Sequence, residues 1–163
     1  MKALTLWQPW ASLFVLGEKR FETRSWQTDH QGWLAVHAAS TSEHLHVVLS
    51  SAPMQAALND HGFDVDTIPL GAVLGIVWIE GCYPVADWRR KVSLTERAFG
   101  DWSPGRFVWQ ATGFVAFADP IPARGAQRLW DWQPTERWWD RRRLMSVAAP
   151  TGAQIAAWSV RHG

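Results

Sequence analysis

Residues 17 to 24 read Gly-Glu-Lys-Arg-Phe-Glu-Thr-Arg, with five ionisable side chains in eight residues: Glu18, Lys19, Arg20, Glu22 and Arg24. The spacing is Gly-x-Lys-x-x-Glu-x-Arg. In a strand, residues two apart share a face, so Glu22 and Arg24 point the same way and form a charge-assisted pair that holds both heads rigid. Arg20 extends that row, and Lys19 sits at the mouth of the strand with a mobile ammonium. Beside a cleft, such a row would hold a phosphate or a polar base, with Glu22 accepting from an exocyclic amine. The plain alternative is a solvated strand face whose ion pairs are worth little. Spacing alone leaves both readings open.

The elements on either side must place this row. Upstream, "KALTLW" reads as a short strand, and "QPWASLFVLG" as a helix with Pro9 near its first turn and Gly17 as its stop. Trp10, Leu13 and Leu16 fall at helical spacing and are expected to face the core. "KRFETRSW" alternates, with Lys19, Phe21, Thr23 and Ser25 on one face and Arg20, Glu22, Arg24 and Trp26 on the other. Turn chemistry in "TDHQG" leads to a second strand, "WLAVHA".

Further along, Leu45, Val48, Leu49 and Ala52 form a helical stripe, which Pro53 breaks before "PMQAALNDHG" begins again. "LGAVLGIVWIEGCYPV" is nearly continuous and β-branched, as expected of a strand buried on both faces. Ser93 and Glu96 spell a capping box at the start of a short helix. "GRFVWQATGFVAFADPIP" reads as one long strand or as a hairpin pivoting near Thr112 and Gly113. "PTERWWDRRRLM" is expected to be helical after Pro134, anchored by Trp138 or Trp139. Its Arg137, Arg141, Arg142 and Arg143 would form a basic surface. Short strands interrupted by helices indicate an α+β domain or small mixed barrel over residues 1–145, followed by a tail or terminal helix over 146–163. No Gly-rich phosphate loop follows a strand, so a dinucleotide or P-loop reading has no support.

Composition narrows the classes. At 163 residues, 47% hydrophobic and a net charge of +1, the chain fits one globular domain. A balanced total does not exclude a local basic stripe for nucleic acid. Cys82 is the one cysteine, so neither an intrachain disulfide nor a Cys-rich metal framework is available. His44 and His46 lie two apart in a helical stretch and make poor co-ligands, so no metal is expected, and no cofactor. No run of about eighteen apolar residues and no signal-peptide pattern occur, and the expected setting is cytoplasmic with no membrane partner. Tryptophan is the outlier at thirteen residues. Most are expected in the core, with Trp7, Trp10, Trp26 or Trp109 offering a face on which a base stacks.

"LWQPWASLFVLGEKRFETRSW", followed by "GWLAVHAA", resembles the ASCH domain family, in which Gly-x-Lys-x-x-Glu-x-Arg is the defining motif. "LGAVLGIVWIEGC" is similar to the family's central strand pair, and "GRFVWQATGFVAFADPIPARGAQRLW" to its closing strands. The likeness covers residues 3 to 132. It implies a PUA-like fold, a small β-barrel with flanking helices, and a cleft for RNA or other nucleic acid, or for a modified nucleoside. The implied binding residues are Gln8, Trp10, Lys19, Arg20, Glu22, Arg24 and Trp26, with Arg106 and Arg124 adding phosphate contacts.

The same resemblance carries a metal-independent hydrolase as the alternative, either a ribonuclease or an amidohydrolase acting on N4-acetylcytidine. Lys19, Glu22 and Arg24 would then be catalytic, with Glu22 or His37 as base. The amidohydrolase pattern has Thr three residues after Lys. Here that position holds Glu22, and Thr23 is one residue off, on the opposite strand face. A protein-docking module built on the tryptophans is the further alternative.

Overall fold

The computed structural model describes residues 1–133 and the backbone of 144–148. Seven strands form one mixed sheet: β1 (Lys2–Leu6), β2 (Phe21–Arg24), β3 (Gly32–Ala38), β4 (Ala72–Pro84), β5 (Phe107–Pro122), β6 (Leu129–Asp131) and β7 (Leu144–Ala148). The path is β2-β5-β4-β3-β1-β6, with β7 also on β5. Among the described residues five short helices accompany it: α1 (Trp10–Val15), α2 (His46–Leu49), α3 (Ala52–Asn59), α4 (Val85–Trp88) and α5 (Leu94–Ala98).

The β-branched run of β4 lies mid-sheet between β3 and β5 and is buried on both faces through Val77, as its composition requires. β5 is one strand of 16 residues rather than a hairpin. Register shifts opposite Trp78 and Ile79 absorb the irregularity at Thr112 and Gly113. Its outer edge is shared, with β2 pairing against Phe107–Gln110 and β7 against Phe114–Phe117.

β1 and β3 are parallel neighbours, so the chain between them must cross over. That crossover contains α1 and β2. The helix packs against β1, β3, β4 and β5 and buries every residue from Ala11 to Val15. A six-residue helix has little stability of its own, so burial and the cap hold it. The Gln8 side chain accepts from Ser12 N–H at 3.1 Å and donates to Ser12 Oγ at 2.8 Å and to the Pro69 carbonyl at 2.7 Å. Gly17 ends the helix at φ 78°, the left-handed conformation expected of its stop. The chain then runs to β2 at the far end of the strand path. The charged stretch lies between two core elements because it is the outermost stop of a crossover connection.

β2 starts at Phe21, which leaves Lys19 in the preceding turn and outside the expected strand alternation. Ser93 accepts from Glu96 N–H at 3.0 Å, half of the expected capping box. The Glu96 carboxylate does not return to its own helix. It accepts from Arg20 N–H at 2.9 Å and Phe21 N–H at 3.0 Å, anchoring the start of β2 to α5. Burial pushes this carboxyl above its ordinary range, against the hydrogen bonds that favour the charged form.

The expected stripe of Leu45, Val48, Leu49 and Ala52 is corrected. α2 is a single turn, so only Val48 is buried, and Leu49 and Ala52 are exposed. The expected helix over 134–145 lies mostly outside the described residues. Its last two positions, Leu144 and Met145, instead open β7, which runs across the expected boundary at 145 and into the expected tail.

Glu96→Ala would leave the buried Phe21 N–H and the part-buried Arg20 N–H without this partner, at about 1–3 kcal/mol for a buried group and less for the other. It is expected to lower the unfolding free energy in urea by about 2–4 kcal/mol. A loss below about 0.5 kcal/mol would show that the α5–β2 tie is dispensable.

Candidate functional site

The motif side chains form a row that emerges from the core. Lys19 donates its backbone N–H to the Leu13 carbonyl at 2.9 Å, which turns its side chain inward. The ammonium donates to the Phe21 carbonyl and lies 3.5 Å from Glu22 Oε2. Glu22 Oε1 lies 3.5 Å from Arg24 Nη1. Side-chain exposure rises along the row, from 1% at Lys19 to 7% at Glu22 and 29% at Arg24. The mobile ammonium expected at Lys19 is therefore corrected: it is a buried charge held by a carboxylate and a carbonyl. An ion is tolerated there only because it is paired and hydrogen-bonded. Arg24 alone of the three carries the row to the surface.

Two recesses meet at Arg24 and Trp7, which line both. The first, about 670 Å³, has Arg24, Arg124 and Arg128 on its walls with Trp7, Trp26 and His37, and no carboxylate. Trp26 packs edge-on against buried Trp109 at 4.6 Å and 87°. The guanidinium carbons of Arg24 and Arg128 lie 5.9 Å and 5.8 Å from its ring. Trp7 is 53% exposed and packs against the His44 ring, tilted at 33° with centroids 3.9 Å apart. Arg128 is the one described non-glycine residue with positive φ, at 58°, so its loop holds it in a restricted conformation.

The second recess, about 420 Å³, contains Trp10, Lys19, Glu22, Asp101 and Arg106. Thr23 forms its far wall: Oγ1 accepts from Asp101 N–H at 3.0 Å, and the Thr23 carbonyl accepts from Arg106 Nη2 at 3.0 Å. Asp101 lies 3.3 Å from Arg106 Nε. Three cations here face two carboxylates, each already paired.

Of the residues expected at a site, Trp26 and Arg124 line the first recess, Arg24 both, and Trp10, Lys19, Glu22 and Arg106 the second. Gln8 is buried as the α1 cap, and Arg20 is exposed and lines neither. Trp109 offers no stacking face, since it is fully buried. Sequence reasoning missed Arg128 and Asp101. Both come from loops, and no local pattern marks a loop residue as facing a strand from elsewhere.

His37 is buried in β3 as expected of a strand histidine. Its Nε2 lies 3.0 Å from the Ala123 carbonyl, so Nε2 carries the proton and Nδ1 is the unprotonated nitrogen. The Ala123–Gly125 loop presses on the ring: a Cβ at Gly125 would lie 2.5 Å from His37 Cε1 and Nδ1. Burial holds the imidazole below its ordinary value, the Ala123 hydrogen bond opposing.

Residues 4–116 match the ASCH domain, and the chain belongs to that family. Its architecture is mixed α+β, one sheet with short flanking helices, as the resemblance implied. The chain is 40% identical over 129 residues to activating signal cointegrator 1 of Homo sapiens and 38% identical to that of Mus musculus. Each match covers 78% of this chain and 21% of the relative, so the chain spans about a fifth of the length of the curated relatives it matches. Among solved structures, the ASCH protein of Zymomonas mobilis is similar at 14% identity and a TM-score of 0.45. That match covers 98% of this chain and 93% of the other. Among the described residues no group of three His, Cys, Asp or Glu side chains could hold a metal ion, and no helix is long and apolar enough to cross a membrane.

Removing one member of a buried ion pair costs about 3–5 kcal/mol, whereas replacing both with apolar groups is near neutral. Lys19→Met is therefore expected to lose about that much in urea unfolding, and the double variant Lys19→Met/Glu22→Leu to recover most of it. Equal losses in the single and double variants would sink the pairing. A depressed His37 makes the unfolded chain take the proton first, so its share of stability is full above about 6.5 and is lost as pH falls from there through the folded value. His37→Gln should flatten that part of the melting-temperature profile, and parallel wild-type and variant curves would contradict it.

Proposed function

We propose that the domain binds single-stranded nucleic acid, with RNA or a modified nucleotide unit as its ligand, through the recess around Trp26. The carrying observation is the combination on that wall: three arginines, two tryptophans and no carboxylate within about 670 Å³. A base stacks on an aromatic face with about 1–3 kcal/mol, and guanidinium groups take phosphate oxygens in bidentate fashion. Trp7 supplies the exposed face, and Arg24, Arg124 and Arg128 the cations. Lys19 and Glu22 have a supporting role in this reading. Buried against each other, they fix Arg24 at the junction of the two recesses.

The ASCH family, to which the chain belongs, supports a nucleic-acid setting. Hydrolysis through Lys19 or Glu22 would need one of them free to meet a phosphate or a leaving group. Their mutual burial favours binding over that alternative. Protein docking through the tryptophans has less support, because Trp7 is the one tryptophan among the exposed large apolar residues described.

The test is fluorescence anisotropy with labelled single-stranded RNA, and DNA of the same sequence, over a salt series. Arg24→Gln and Arg124→Gln are each expected to weaken binding about 3–10-fold and to lower the salt slope by about 0.7. The melting temperature should stay near wild type in Arg124→Gln, whereas Arg24→Gln, which takes a partner from the buried Glu22 carboxylate, is expected to melt lower while remaining folded at the assay temperature. Unchanged affinity in the double variant at low salt, or an affinity indifferent to salt, would overturn the assignment.

A further inference from the structure

A third recess, about 550 Å³, adjoins the second and shares no lining residue with the first. The two share Ala98, Gly100 and Asp101, and Arg89, Leu94 and Arg97 line the new wall. The three recesses therefore run in series, since the first and second share Trp7 and Arg24. The segment bordering the third, from α4 to α5, has a one-sided charge distribution. Arg89, Arg90, Lys91 and Arg97 are all exposed, and none is ion-paired with a carboxylate among the described residues. Of the two acids in the same segment, Asp87 is exposed, and Glu96 is turned inward onto the Arg20 and Phe21 amides. Lys91 lies 5.4 Å from the Trp88 ring, which holds its charge at the surface. Leu94 stands 78% exposed among these cations.

A nucleoside or a single nucleotide would be served by the Trp26 recess alone. Four cations downstream of it, none ion-paired among the described residues, have no role in holding so small a ligand. Their arrangement suits a backbone with regularly spaced negative charges, which each cation neutralises with release of a counterion. We infer that the bound strand leaves the Trp26 recess past Trp7 and Arg24, crosses the second recess, and lays its phosphates along Arg89, Arg90, Lys91 and Arg97. The ligand is thereby an oligonucleotide of several units and not a free nucleoside or mononucleotide. This rests on the nucleic-acid reading of the Trp26 recess and extends it to the length and direction of the ligand.

Labelled oligouridylates of two and eight units separate the two ideas. Wild-type protein should bind the octamer at least tenfold tighter than the dimer. The quadruple variant Arg89→Gln/Arg90→Gln/Lys91→Gln/Arg97→Gln should lose that gain, and its octamer salt slope should fall by about 2–3. It should hold the dimer as wild type does. Arg97→Glu alone, at an exposed helical position that cannot upset the core, should weaken the octamer several-fold and leave the dimer unchanged. An octamer bound no tighter than the dimer, or one unaffected by either variant, would overturn the inference while the dimer still reports on the Trp26 recess. Displacement of the octamer by polyglutamate at equal charge concentration would assign the patch to acidic polypeptides and likewise overturn it. Absence of binding at both lengths would remove the recess assignment itself.

Discussion

The ion row from Lys19 through Glu22 to Arg24 is the constraint on which the rest of the site depends. The Lys19 ammonium has no exposure to water, and a charge so placed destabilises a domain unless it is paired and hydrogen-bonded. Here a carbonyl and a carboxylate surround it, and the carboxylate hands the interaction on to a guanidinium at the surface. Buried pairs of this kind are poor sources of stability, because desolvation offsets most of the attraction. Their use is geometric. Both sides of Glu22 are occupied, so Arg24 cannot swing away without exposing unpaired charge in the interior.

That row holds its place because the backbone leading into it is tied down at three successive amides. The Lys19 amide hangs from the last turn of α1, and the Arg20 and Phe21 amides are received by Glu96 of α5. β2 is four residues long and lies at the end of the strand path, where a strand has one partner and frays easily. A carboxylate at its first amides closes the end that the sheet leaves open. The helix segment that carries this carboxylate also presents Arg97 outward, so one short element anchors the motif on its inner side and extends the charged surface on its outer side.

The aromatic content divides along the same line. Trp102, Trp109 and Trp132 are core residues, while Trp26 rests edge-on over Trp109 with guanidinium groups at its ring. A buried indole thus forms the bed on which Trp26 is held at the recess wall. A ring fixed from behind has little freedom left to lose, which is the general meaning of pre-organisation.

Local chemistry made much of the fold legible. β-Branched continuity announced β4, Gly17 marked the end of α1, Ser93 the start of α5, and Pro53 the first turn of α3. The motif itself, and the shared face of Glu22 and Arg24, were readable from a two-residue period. The fate of Lys19 was not, because strand alternation applies only within a strand and β2 begins two residues later. Nor was the meeting of Glu96 with Arg20 across 76 positions, or the arrival of Arg124 and Arg128 beside Arg24. Periodicity and capping are properties of neighbours along the chain, so they survive in the sequence. Burial of a charge and the gathering of arginines from separate loops are set by which strands pair and how far the sheet curls, and only the folded chain decides that.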